Sequence, residues 1–202
     1  MTRVLLIRHG QSTWNADGRW QGRADPPLSE LGRQQAAAAG KSIADAGFTG
    51  IVASPLQRAH QTASIVGDIL GLAVANDERL MERDAGEWTG HTREEIEATW
   101  PGYLAENRRP PAFETDDVLV HRAMAVLADL AAAADEPIVV FSHGGLIRVV
   151  ERTLGDEPHA VPNLGGLDLR RVTTDGDHTF ELTGRTLLID ADTVAVTSPP
   201  EI

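Results

Sequence analysis

The chain contains no cysteine. Neither a disulfide framework nor a thiolate metal site can form, which suits a reducing compartment. Basic charge is also short: 18 Lys and Arg stand against 30 Asp and Glu, a formal net charge of -12. No basic block or aromatic-basic interleaving offsets it. A polyanion such as nucleic acid is therefore not the expected partner, and any anion site must be a local gathering of cations. Long apolar runs are missing as well; none approaches the roughly 20 residues of a membrane helix. The opening MTRVLLI supplies four apolar residues in a row before Arg8, too few for a signal peptide. The expectation is a cytoplasmic protein with no membrane partner. Repeats, low-complexity tracts and convincing linkers are lacking, and 202 residues suit one domain spanning residues 1–202.

What is present is a repeated phrase. The apolar run Val4 to Ile7 breaks into Arg8-His9-Gly10, and a second run, Ile138 to Phe141, breaks into Ser142-His143-Gly144. Between them strand and helix patterns alternate. LSELGRQQAAAAGKSIADAG reads as a helix with Ser29 as N-cap and Gly47 as stop. GIVASP reads as a strand leading to a helix with Ser54 as cap, Pro55 at its first position and Gln57 closing a capping box. That helix places Leu56, Ala59, Ala63, Val66 and Leu70 on one face and stops at Gly71. LAVAND is a third strand, Arg93 to Thr99 a short helix, Asp116 to Ala134 a long one, and Gly145 to Leu154 another. Toward the end LDLRRVTT, TFELTG and TLLID alternate around turns such as Asp175-Gly176-Asp177, as hairpin or edge strands do. They offer an edge at which a homo-oligomer could form.

This pattern predicts an α/β three-layer sandwich, with a mostly parallel central sheet and helices on both faces. Parallel strands deliver their carboxyl ends to one edge, where such sheets bind ligands. His9 and His143 should meet there. Arg58, in the first turn of its helix, adds a cation where the helix dipole is already positive, so an anion should sit opposite. Arg8, Arg58, His143 and free backbone N–H groups would make a phosphate pocket. Beside Arg8, His9 is held neutral and can attack phosphorus. The leaving alkoxide needs a proton from a carboxyl group, and spacing leaves Glu78, Glu82, Asp84 and Glu87 open.

Taken in order, IRHGQSTWN, LSELGRQQA, VASPLQRAHQTA, RLMERDAGEWTG and VFSHGGLIR resemble the histidine phosphatase superfamily, in its phosphoglycerate mutase-like branch. The likeness covers roughly residues 4–150. It implies that His9 becomes a phosphohistidine, that Arg8, Arg58 and His143 complete the phosphate pocket, and that Glu82 is the proton donor and later the base for water. Asn15 and Gln21 match positions that contact phosphate or substrate in relatives, and Gly144 is grouped with them as substrate-binding. No metal and no cofactor is implied. One segment departs: relatives carry a Gly-Gly-Glu-Ser type turn before the long helix, whereas this chain has PPAFETDDV, keeping Glu114 and the hydroxyl of Thr115.

The function expected is hydrolysis of a small organic phosphomonoester through phosphohistidine. The alternatives are mutase-type transfer on the same residues and a phosphate-binding regulatory domain that has lost catalysis. Mutase relatives are longer and often read Ser-His-Gly-Asn where this chain has Gly145, while inactive relatives tend to lose the nucleophile or the acid. A metal-dependent hydrolase ranks last. His60, His91, His121, His159 and His178 show no shared metal-ligand spacing and read as surface or structural. Trp14, Trp20 and Trp88 read as packing residues near the site, with pocket lining as the alternative, and Arg148 and Arg152 as solvated.

Overall fold

The computed structural model describes residues 2–133, 135–174 and 177–190. A six-stranded sheet with strand order β3-β2-β4-β1-β5-β6 forms its centre. In chain order the strands are β1 (Arg3–Arg8), β2 (Gly50–Ala53), β3 (Val74–Asn76), β4 (Ile138–Ser142), β5 (Gly165–Thr174) and β6 (Asp177–Leu187). The first four run parallel, and β5 and β6 extend the sheet antiparallel beyond β1. The helices are α1 (Thr13–Ala16), α2 (Glu30–Ser42), α3 (Gln57–Leu70), α4 (Arg93–Thr99), α5 (Asp116–Ala133) and α6 (Gly144–Thr153). Among the described residues no helix is long and apolar enough to cross a membrane.

The continuous apolar runs are the central strands because both of their faces are covered. Val4, Leu6 and Val140 point into one core, filled by Leu119, Val126 and Leu127 of α5 and Ile147 and Val150 of α6. Leu5, Ile7, Val139 and Phe141 point into the other, filled by Ala39 of α2 and Ala63 and Val66 of α3. The two-residue side-chain period of a strand thus sorts one hydrophobic run between two layers. A third cluster, with Trp20, Trp88, Ile96 and Leu104, lies under α4. Trp20 and Trp88 meet edge to face at 5.1 Å.

Several local expectations shift. α2 ends at Ser42 rather than at Gly47, although Ser29 caps it as expected, accepting from the Gly32 N–H. α3 begins at Gln57 with Leu56 as an N-cap that provides no side-chain bond. The Ser54 capping box does not form: the Ser54 N–H donates to the Phe141 carbonyl, the Gln57 side chain turns to Asp25, and the Ser54 hydroxyl is shared with His143 at 2.8 Å. The cap comes from across the fold instead: Asp25 Oδ1 accepts from the Gln57 N–H at 2.6 Å. The segments TFELTG and TLLID, expected as separate strands, join in β6 as one strand through Leu187. Its register shifts between Asp168 and Leu169, so Thr183 is an extra residue, and its hydroxyl donates to the Asp168 carbonyl at 2.9 Å. A bulge of this kind lets a strand continue through an irregularity. The expected turn at 175–176 and helix residue Ala134 lie outside the described residues.

Candidate active site

Strand order decides what meets at the carboxyl edge. β4 lies between β2 and β1, with Arg8 paired to Ser142 and Ala53 to Phe141. The His9 N–H donates to the Ser142 carbonyl at 3.0 Å and the Ser54 N–H to the Phe141 carbonyl at 2.9 Å. Three chain segments therefore leave adjacent strands side by side and carry His9, Ser54 and His143 with them. The rings of His9 and His143 sit 5.2 Å apart at 62°, and both residues are buried. Gly10 is required by close approach: a Cβ there would lie 2.6 Å from the Gly32 carbonyl oxygen.

The hydrogen bonds around His9 define its tautomer. Nδ1 lies 2.6 Å from the Gly10 carbonyl oxygen, which can only accept, so Nδ1 carries the proton. Nε2 is then the lone-pair nitrogen, and Arg58 Nε donates to it at 3.2 Å. The rest of the Arg58 fork is anchored on the Ala24 and Gly22 carbonyls, at 2.8 and 2.9 Å. Thr62 accepts from the Gly10 N–H at 3.0 Å and donates to the Arg58 carbonyl at 2.7 Å. Asn163 holds the His9 carbonyl at 2.9 Å. Arg8 donates to the Val161 carbonyl at 2.7 Å.

His143 is held from the neighbouring strand end: its Nε2 and the Ser54 hydroxyl share a hydrogen bond of 2.8 Å, and the same hydroxyl oxygen accepts from the Leu56 N–H at 3.3 Å. The other ring nitrogen, Nδ1, has no partner among the described residues.

Burial, followed by the charges of Arg58 and Arg8, pushes the His9 imidazole well below its ordinary value of 6.5. Burial, Arg58, His9, Arg8 and Arg122 push His143 down in the same way. Both rings are thus neutral in the folded protein, whereas the unfolded chain takes up two protons below pH 6.5. Their contribution to stability is complete above that value and is lost as pH falls through it toward the lowered values. Each imidazole costs about 1 kcal/mol between pH 6.5 and about 5.5 by linkage. Urea unfolding in phosphate-free buffer at both pH values is expected to show this loss, and His143→Gln should remove about half of it. Equal pH dependence in the two proteins would contradict neutral burial.

Of the four carboxylates left open by spacing, Glu78 and Glu87 are exposed and Asp84 accepts from the Gly86 N–H at 2.9 Å. Glu82 alone of the four lines the cleft bounded also by Trp20, Gln21, Gly22, Arg83, Gly145 and Arg148; this cleft meets the imidazole cluster through Gly22, whose carbonyl anchors Arg58, and through Gly145, two residues after His143. Its oxygens accept from the Arg83 N–H at 2.8 Å and the Gly145 N–H at 3.1 Å. A Cβ at residue 145 would lie 2.6 Å from Glu82 Oε1, so the glycine makes room for this carboxylate.

Gln21 lines the same cleft and accepts from the Ser12 hydroxyl at 2.7 Å. Asn15 is buried, and its Oδ1 accepts from the Ser12 N–H at 3.1 Å in the capping box of α1. Gly144 opens α6 directly after His143. Arg148, read as solvated, lines the cleft instead, whereas Arg152 pairs with Asp116 at 3.2 Å. Spacing alone also missed Ser54 as a partner of His143, and Asn163, Arg122 and Arg83, whose roles come from contacts between distant segments. Among the described residues no group of three or more His, Asp or Glu is arranged to hold a metal ion.

The family model for the histidine phosphatase superfamily (branch 1) matches residues 4–178. Glucosyl-3-phosphoglycerate phosphatase of Mycolicibacterium vanbaalenii is 37% identical over 179 residues, 82% of this chain and 80% of that protein. The probable phosphoglycerate mutase GpmB of Erwinia tasmaniensis is 34% identical over 161 residues, 76% of this chain and 75% of that one. Among solved structures, mycobacterial glucosyl-3-phosphoglycerate phosphatase in complex with VO3 superposes with a TM-score of 0.82 at 32% identity, covering 92% of this chain and 99% of that chain. With the motif order, the sheet and the paired imidazoles in agreement, the chain belongs to the histidine phosphatase superfamily, branch 1.

Proposed function

We propose that this protein is a phosphatase that hydrolyses a small phosphomonoester whose alcohol portion carries a second anionic group. The observation that carries the catalytic reading is the His9 Nε2 lone pair, held against Arg58 and beside a second buried imidazole. Nε2 attacks phosphorus and the bond to the ester oxygen breaks, its electron pair leaving with that oxygen. The Glu82 carboxyl transfers its proton there, releasing the alcohol. Arg8, Arg58 and His143 stabilise charge on the equatorial oxygens, each such donor contributing about 2.7–4 kcal/mol by analogy with oxyanion holes. In the second half, water attacks the phosphohistidine and gives a proton to the Glu82 carboxylate. The P–N bond breaks, its pair returns to Nε2, and inorganic phosphate leaves.

Three arginines support the acidic-substrate part. Arg83 and Arg148 line the cleft, and Arg109 lies over Phe113 at 5.3 Å. Asp116 offsets Arg83 at 2.6 Å but also serves Arg152. Burial and the nearby cations Arg83 and Arg148 lower the Arg109 guanidinium, with Asp116 opposing. Cations crowded to that degree favour an anion on the leaving-group side. The phosphoglycerate in the relatives' name carries a carboxylate besides its phosphate.

Phosphate release from 3-phosphoglycerate, glycerol 3-phosphate and p-nitrophenyl phosphate tests both parts. We expect kcat/KM for 3-phosphoglycerate to exceed that for glycerol 3-phosphate by at least about tenfold, or about 1.4 kcal/mol. Parity would remove the second anionic group from the proposal. The GpmB relatives favour a second reading, mutase transfer. Rapid isomerisation of 3-phosphoglycerate with little free phosphate would establish it in place of hydrolysis.

A further inference from the structure

Glu114 is the one carboxylate kept from the family's Gly-Gly-Glu-Ser type turn, and it is buried with 5% of its side chain exposed. Four donors converge on it. Arg122 donates with Nε to Oε1 at 2.8 Å and with Nη2 to Oε2 at 2.9 Å. The Asp84 N–H donates to Oε2 at 3.1 Å, and Arg23 to Oε1 at 3.3 Å. The remaining capacity of the Arg122 fork is spent on one short segment. Nη1 donates to the Arg79 and Met81 carbonyls, and Nη2 to the Glu82 carbonyl at 3.0 Å. Every bond of this pair to the 79–84 segment brackets Glu82, while Arg23 belongs to the loop whose Gly22 and Ala24 carbonyls anchor Arg58.

We propose that the Arg122–Glu114 pair is a positioning device that sets the Glu82 carboxyl at the leaving-group oxygen and ties its segment to the Arg58 loop. The inference rests on the assignment of Glu82 as proton donor. A guanidinium is planar, so an arginine pinned bidentately by Glu114 has little freedom left in the direction of its outer N–H groups. Those groups fix three carbonyls in four residues. The Glu82 backbone is thereby held from behind, and its carboxylate from the front by the Arg83 and Gly145 N–H groups. Arg122 also bears on His143 through its charge, which a lysine at this position retains, so the effect probed by that replacement is geometric.

A purely structural ion pair and a positioning device differ in one readout. An alkyl leaving group needs a proton in the transition state, whereas p-nitrophenolate leaves as a stable anion with little assistance. Arg122→Lys keeps the charge and loses the fork. We expect its kcat/KM to fall about 10- to 100-fold with 3-phosphoglycerate, the usual range for lost supporting contacts, and less than about threefold with p-nitrophenyl phosphate. In a Glu82→Gln background the same change should add no further loss with 3-phosphoglycerate, since it acts through Glu82. Circular dichroism confirms folding; should Arg122→Lys fail to fold, Glu114→Gln decides by the same comparison. Equal losses on the two substrates, no loss on either, or additive losses in the double variant would overturn the inference. If Glu82→Gln itself lost activity equally on both substrates, the acid assignment would fail and the positioning role with it.

Discussion

Replacing His9 with alanine is expected to lower kcat/KM by about 10⁴- to 10⁶-fold with every phosphomonoester, the scale seen when a nucleophile is removed from an enzyme that works through a covalent intermediate. The size follows from what remains. In the proposed mechanism Arg8, Arg58 and His143 hold the phosphoryl group, so inorganic phosphate should bind the variant by calorimetry within about tenfold of wild type. Phosphorus then has no nucleophile except water, which nothing in the pocket orients until Glu82 is a carboxylate. The backbone at residue 9 stays anchored by the Ser142 carbonyl and the Asn163 amide, so the variant should fold. Acid-stopped reactions of wild type with excess substrate are expected to trap an acid-labile phosphoryl group on His9, absent from His9→Ala. Residual activity within tenfold of wild type would place the nucleophile elsewhere.

Glu82→Gln is the second large effect, about 10²- to 10³-fold in kcat/KM with 3-phosphoglycerate and less than about tenfold with p-nitrophenyl phosphate. General acid catalysis contributes roughly 10²–10⁴ where the leaving group is an alkoxide, and far less where the leaving anion is stable. The substitution is not silent for the fold. Both carboxylate oxygens accept a backbone N–H, from Arg83 and from Gly145, and a glutamine must turn its NH₂ toward one of those donors. That mismatch costs about 1–3 kcal/mol, so thermal unfolding should show a lowered midpoint alongside the kinetic change. The substrate dependence separates the two consequences, because general destabilisation lowers both activities alike. Loss that ignores the leaving group would assign the proton to another residue.

Much of this site was legible because it is written in local patterns. Two apolar runs that stop at His-Gly mark strand ends, and an arginine in the first turn of a helix marks an anion nearby. Glu82 was not legible in that way, since Glu78, Asp84 and Glu87 share its neighbourhood; the ordered motifs singled it out, and burial beside Gly145 distinguishes it physically. Ser54 shows the converse. Its position before Pro55 has every feature of an N-cap, yet its hydroxyl turns to His143 and Asp25 caps α3 from a loop about thirty residues away. A capping preference worth about 1 kcal/mol yields when another acceptor, here the Asp25 carboxylate, can take the helix N–H and the hydroxyl is shared with a buried imidazole. Arg148 reads as a solvated helix residue because its spacing from Arg152 is that of a surface row; only the placement of α6 against the 79–84 segment puts it into the cleft.

By itself, the sequence determined the alternation of strand and helix, the net negative charge, and the identity of the groups that end β1 and β4. Those properties depend on residue type and short-range period, which survive in a one-dimensional text. The tertiary structure decided that β1 and β4 are neighbours, which ring nitrogen of His9 carries its proton, and that Arg122 and Glu114 brace the segment bearing Glu82. These rest on hydrogen bonds between residues far apart in the chain, and a hydrogen bond depends on distance and angle, which no spacing along the sequence encodes.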